Sequence, residues 1–172
     1  MRMEFEQKIL SGQLQQLLYE SGKTLGTAES CTGGRIAEAI IAVPGASVYF
    51  KGGVISYTNE VKEKLLNVDK TLIDEKDAVS EEVAVEMVKG AISSLGVDFA
   101  IAATGYAGPG GGSKEIPIGT IWLACGNSER IVTKQLTEDF GRDVNLSVAT
   151  RTGLHMILDF LEEEHLPKQT AV

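Results

Sequence analysis

A serine and a cysteine lie side by side in Thr27-Ala28-Glu29-Ser30-Cys31-Thr32-Gly33-Gly34. A hydroxyl or a thiol at a glycine-rich turn can act as a nucleophile beside free backbone amides that hold an oxyanion. Either Ser30 or Cys31 fits that role, because a thiol at a helix start has a lowered pKa. The plainer alternative is that Ser30 or Thr32 only caps a helix and the glycines only permit the turn. Glu29 reads either as a buried acid or as an ordinary hydroxyl partner. The chain has only two histidines, His155 and His165, both near its C-terminal end. A base for such a nucleophile is therefore sought among lysine and tyrosine.

Lys62 is the candidate base. With Asn59 as a helix cap, Lys62 occupies the third helical position, where the helix dipole disfavours a cation and nudges the amine pKa down. Burial would lower it further and suit the amine to general-base work near neutral pH. The alternative is an exposed surface lysine. Tyr57, just upstream, could donate a hydrogen bond or stack on a ring, or be a core aromatic with its hydroxyl at the rim. A second glycine-dense stretch is Thr104-Gly105-Tyr106-Ala107-Gly108-Pro109-Gly110-Gly111-Gly112. It lacks the Gly-Lys-Ser/Thr of a phosphate loop, and no strong helix opens directly from it. Such a loop is costly to order, which favours ligand contact over a flexible crossover.

The elements that must position these residues follow from periodicity. Glu4 to Glu20 spaces Phe5, Ile9, Leu10, Leu14, Leu17 and Leu18 as one face of a helix. Thr24 to Ala28 reads as a buried strand, and Arg35 to Ala42 as a helix broken by Pro44-Gly45. Ser47 to Tyr57 reads as a strand with a bulge at Gly52-Gly53. Thr58 or Asn59 caps a short helix from Glu60 to Leu66. Asp69 to Asp77 reads as a polar loop. Ser80 caps a helix that ends at Gly96. Phe99 to Ala103 is apolar enough for a central strand. Ile118 to Cys125 and Arg130 to Leu136 form a hairpin about Gly126-Asn127-Ser128, and Arg142 to Glu163 is a long helix. The expected fold is α/β: a single-domain, three-layer α/β/α sandwich over residues 1–166, with a mixed, mostly parallel sheet and a frayed tail at 167–172. Ligands of such sheets bind beyond the carboxyl ends of the strands, where the Ser30 turn and the Thr104 loop would converge.

Composition narrows the function. The 172 residues are 43% hydrophobic and carry a net charge of −8. With no basic run, a broad nucleic-acid footprint is not expected. No apolar stretch is long enough to span a bilayer, and the start lacks the apolar core of a signal peptide. Two cysteines, Cys31 and Cys125, make no disulfide framework, and no His or Cys pair has metal-ligand spacing. A cytoplasmic protein with no metal and no cofactor is the expectation.

The motifs also resemble a known family. The stretch from Thr27 to Gly34 is followed by Gly53-Val54-Ile55-Ser56-Tyr57-Thr58-Asn59-Glu60-Val61-Lys62 and Ala78-Val79-Ser80-Glu81. Thr104 to Gly111, Pro117-Ile118-Gly119-Thr120-Ile121 and Phe140-Gly141-Arg142 complete the set. In this order they resemble the CinA C-terminal domain family, whose stand-alone members include nicotinamide mononucleotide deamidases. The resemblance implies the single-domain form, longer members carrying an additional N-terminal domain. It implies hydrolysis of nicotinamide mononucleotide to nicotinic acid mononucleotide and ammonia, as a homodimer without metal. It implies Ser30 as nucleophile, Lys62 as base and Tyr57 in the site. It places Thr104 and Arg142 among substrate-contacting residues. Amides near Cys31, Thr32, Gly33 and Gly34 would hold the oxyanion. Arg142 and the loop amides, Gly105 and Gly108 among them, would hold the phosphate. Tyr106 stands where the family usually has an aliphatic residue. Two other readings remain: a non-catalytic nucleotide-binding module, or an amidase for another small carboxamide.

Overall fold

The computed structural model describes residues 2–167, with side chains from residue 6 onward. The expected Phe5 contact and residues 168–172 of the expected tail lie outside the described residues. Twelve elements follow one another: α1 (Arg2–Ser21), β1 (Leu25–Glu29), α2 (Arg35–Ile41), a 3-10 turn (Ala46–Val48), β2 (Phe50–Ile55), α3 (Asn59–Leu66), α4 (Lys70–Lys76), α5 (Glu81–Leu95), β3 (Phe99–Gly105), β4 (Ile121–Gly126), β5 (Ile131–Leu136) and α6 (Arg142–Glu163). One sheet runs in the order β2-β1-β3-β4-β5. β1 pairs parallel with β2 and β3, while β4 pairs antiparallel with β3 and β5. Four strands therefore share one direction and β4 opposes them. This is the expected mixed α/β sheet.

Small side chains let both faces of the sheet be covered. On one face Leu25, Phe99, Ile101, Ala103, Leu123 and Cys125 pack against Leu10, Leu14 and Leu18 of α1, Ile36 and Ile40 of α2, and Leu154, Ile157 and Leu161 of α6. On the other, Ala28, Ala100, Ala102 and Ala124 meet Leu66 of α3, Ile73 of α4, and Val83, Met87, Val88 and Ala91 of α5. Period-two alternation in β3 thus sends larger residues to one layer and alanines to the other. α5 lies close against the alanine face.

Several boundaries differ from expectation, each for a local reason. Residues 70–76 are not a loop but the two-turn helix α4. Asp69 caps it by accepting the Thr71 amide at 2.8 Å, and Ile73 anchors it. Its polar majority hides the period. The strand expected from Ser47 begins only at Phe50, because Ala46–Val48 winds into a 3-10 turn that buries Tyr49. Register slips between Leu25 and Gly26, which pair with Phe50 and Gly52, so the bulge falls at Lys51. Gly53 serves close approach instead, since a Cβ there would collide with Thr27 Oγ1. β4 starts at Ile121, since Thr120 donates back to the Pro117 carbonyl at 3.1 Å and Gly119 donates to that of Tyr106 at 2.8 Å. Ile9, expected on the buried face of α1, is exposed.

Candidate active site

The Ser30 turn is fixed from both sides. Its amide donates to the Ala103 carbonyl of β3 at 2.8 Å, and its carbonyl accepts the Gly33 amide at 3.1 Å. Gly33 and Gly34 take φ of 57° and 99°, a left-handed pair that side-chain-bearing residues rarely adopt. The cap of α2 comes from an unexpected place. Gly34 occupies the cap position with no side-chain bond, and neither Ser30 nor Thr32 caps the helix. Instead Glu29 accepts the Ile36 amide at 2.9 Å and the Ala37 amide at 3.0 Å. Its carboxylate, 1% exposed, takes the anion position that the helix start offers. Those amides are therefore closed to a ligand. The amides of Cys31 and Thr32, directly after Ser30, donate to no oxygen among the described residues and lie against the Cys31 sulfur.

Lys62 arrives from the opposite layer. Thr58 is the cap of α3, so Lys62 is the fourth helical residue, not the third. The dipole effect expected from the first turn is correspondingly weaker, and burial takes its place. Lys62 is 1% exposed. Its Nζ lies 3.0 Å from Ser30 Oγ and donates to the Ser56 carbonyl at 2.9 Å. Among the described residues no carboxylate pairs with it, and desolvation lowers its pKa below the usual lysine value of 10.5. A buried amine against a hydroxyl can accept the hydroxyl proton once the amine is neutral.

Cys31 behaves oppositely to its expected activation. Burial pushes its thiol up to about 12, outweighing the nearby amides and the lysine. Ser30, not Cys31, is the group hydrogen-bonded to the amine.

A cleft of about 330 Å³ opens above Ser30 and Lys62, within the range of small-molecule sites. Thr104, Gly105 and Gly108 line it together with Cys31, Tyr57 and Arg142. Thr104 is buried and donates its hydroxyl to the Ala78 carbonyl at 2.8 Å. Arg142 Nη1 donates to the Gly108 carbonyl at 2.7 Å, and Nη2 sits 3.5 Å from the Tyr57 hydroxyl. Tyr57 is 59% exposed, which puts it at the mouth. Thr32, Gly33 and Gly34 do not line the cleft. The cleft also holds residues that sequence reasoning passed over: Asp77 and Tyr106, whose hydroxyl donates to the Asp77 carboxylate at 3.0 Å. In the sequence Tyr106 stands out only by its departure from the family pattern, and Asp77 lies in a polar stretch that reads as loop. The Ser56 carbonyl that receives Lys62 has no signal in sequence at all.

Among the described residues no group of three His, Cys, Asp or Glu could hold a metal, and no helix is long and apolar enough to cross a membrane.

Comparison with known proteins places this geometry in context. Residues 7–161 match the sequence pattern of the CinA C-terminal domain. The nicotinamide-nucleotide amidohydrolase PncC of Pseudomonas putida is 47% identical over 117 residues, covering 68% of this chain and 73% of its own length. A CinA-like protein of Leptospira borgpetersenii is 43% identical over 151 residues, and the match spans 87% of this chain but only 36% of that relative. The crystal structure of the competence/damage inducible protein CihA from Agrobacterium tumefaciens superposes with a TM-score of 0.87 at 34% identity, covering 90% of this chain and 95% of its own. A CinA superfamily protein from Escherichia coli gives 0.85 at 36% identity and 88% coverage of each chain. The chain belongs to the CinA C-terminal domain family.

Proposed function

We propose that the protein is an amidohydrolase that converts nicotinamide mononucleotide to nicotinic acid mononucleotide and ammonia. The observation that carries this reading is the 3.0 Å contact between Ser30 Oγ and the buried Lys62 Nζ at the floor of the cleft. The likeness to the Pseudomonas putida amidohydrolase supports the substrate.

In this mechanism neutral Lys62 takes the Ser30 proton while its other hydrogens stay directed by the Ser56 carbonyl. Ser30 Oγ attacks the carboxamide carbon, and the amide of Cys31, which lines the cleft, receives the oxyanion. One such donor contributes about 3 kcal/mol to the barrier reduction. The tetrahedral intermediate collapses, the C–N bond breaks, and Lys62 returns the proton to the departing ammonia. Water, deprotonated by Lys62, then cleaves the acyl-Ser30 ester to the carboxylate. The electron-withdrawing pyridinium makes the carbonyl a good electrophile. Arg142, fixed on the Gly108 carbonyl, receives the phosphate at the mouth, with Tyr57 beside it.

The test is ammonia release from nicotinamide mononucleotide by the purified protein. Ser30→Ala and Lys62→Ala each lower kcat by at least about a thousandfold, with circular dichroism unchanged. Full activity in Ser30→Ala with loss in Cys31→Ala would overturn the assignment of the nucleophile. Light scattering tests the homodimer that belongs to the same reading.

A further inference from the structure

Asp77 stands in a costly conformation. Its φ of 73° and ψ of 151° lie where side-chain-bearing residues are rare. Its backbone is locked there by its own turn: Oδ1 accepts the Val79 amide at 2.8 Å, and its carbonyl accepts the Ser80 hydroxyl at 2.8 Å. The Tyr106 hydroxyl then straddles the carboxylate, at 3.0 Å from Oδ1 and 3.2 Å from Oδ2. Tyr106 in turn rests on the glycine loop, where a Cβ on Gly111 would come within 2.9 Å of its ring. Oδ2 has no other partner among the described residues, and a carboxylate oxygen can accept two hydrogen bonds. Strain of this kind persists where surroundings over-determine it, commonly at ligand sites.

Its position in the cleft gives the ligand chemistry. Ser30 and Lys62 are buried at the floor, whereas Asp77, Tyr106, Tyr57 and Arg142 are partly or fully exposed at the mouth. Asp77 joins α4 to α5, in the helix layer on one face of the sheet, and Arg142 opens α6, in the layer on the other. An acceptor and a cation therefore face the mouth from different layers. A ribosyl phosphate carries its vicinal diol and its 5′-phosphate on opposite sides of the sugar. A ring directed down to Ser30 would leave the sugar across the mouth, its diol toward one layer and its phosphate toward the other.

We propose that Asp77, held by Tyr106, is the ribose-recognition residue of this cleft and accepts hydrogen bonds from the sugar diol. The assignment deepens the deamidase reading and rests on it for the orientation of the ring. It makes the site selective for ribonucleotides over deoxyribosyl analogues and over the bare carboxamide.

Asp77→Gly is the decisive variant, since glycine accepts this φ and the fold is kept. Asp77→Asn and Tyr106→Phe accompany it. In wild type, the 2′-deoxy and 3′-deoxy forms of nicotinamide mononucleotide show KM raised by about tenfold, the fold-change of one hydrogen bond to a charged group. Asp77→Gly raises KM for the parent nucleotide by a similar factor, changes kcat by less than about threefold, and abolishes the deoxy penalty. Tyr106→Phe gives a smaller rise in KM. Calorimetry with ribose 5-phosphate and 2-deoxyribose 5-phosphate separates the two readings. Ammonia release with a deoxy penalty unchanged in Asp77→Gly overturns the ribose assignment and leaves the deamidase. Absent ammonia release with Asp77-dependent preference for ribose 5-phosphate does the reverse. Binding of neither sugar phosphate, together with absent turnover, overturns both.

Discussion

The Glu29 carboxylate and the Ile36 amide are joined by a 2.9 Å hydrogen bond that ties the last residue of β1 to the first turn of α2 across the Ser30 turn. A second bond to Ala37 makes the clamp bidentate. Removing it leaves two helix-start amides unpaired in a buried setting. Glu29→Ala should cost about 3 kcal/mol in urea unfolding, and Glu29→Gln, which offers one acceptor to two donors, about 2 kcal/mol. An unchanged midpoint in both variants would show that the clamp contributes nothing.

In the proposed mechanism the amine of Lys62 sets the pH dependence. When charged it cannot take the Ser30 proton, so kcat/KM should rise with pH along a limb whose midpoint lies below 10.5, the ordinary lysine value. Stability follows the same sign. Between the lowered folded value and 10.5, the unfolded chain holds a proton that the folded chain has released. Folding is therefore favoured as pH rises through that window. Wild type measured against Lys62→Met in chemical denaturation should show this gain, and a flat difference would mean the buried amine keeps its proton.

The thiols should be inert. With both Cys31 and Cys125 buried and raised to about 12, alkylation of the folded protein by iodoacetamide at pH 8 should run about a thousandfold below that of an ordinary thiol. Mass spectrometry of timed samples reads this directly. Rapid labelling of Cys31 with the fold intact would contradict its environment.

Arg142 should act in binding more than in chemistry. Arg142→Lys keeps the charge and loses the planar fork that holds the Gly108 carbonyl. KM for the nucleotide should rise by about tenfold with kcat changed little, as expected for a charge-assisted contact made equally in ground and transition states. A fall in kcat without change in KM would place the guanidinium at the reacting carbon instead.

Much of this architecture can be read from residue order because it depends on local pattern. The run Phe99 to Ala103, the caps Ser80 and Gly96, and the span of α6 are written in adjacent residues. The nearness of Ser30 and Lys62 is less local, yet follows once each is set beyond the carboxyl edge of the parallel β1–β2 pair. What stayed illegible depends on partners distant in sequence or on backbone angle. Glu29 reaches seven residues ahead to cap a helix, against the habit of capping from its own cap position. Asp77 keeps its strained φ within bonds to Ile73, Val79, Ser80 and Tyr106. Helix α4 is short and polar, and its apolar residues Leu72 and Ile73, packed in the α5 layer, are too few to mark a helical period.

The two halves of the Ser30–Lys62 contact are carried by structures of unequal sturdiness. One sits in the turn directly after the interior strand β1; the other rides on α3, eight residues long and too short to persist in water by itself. Loosening of α3 would draw the amine out of reach while the sheet stood intact. In the proposed mechanism, turnover therefore reports how that one small helix is docked and is lost before the fold melts.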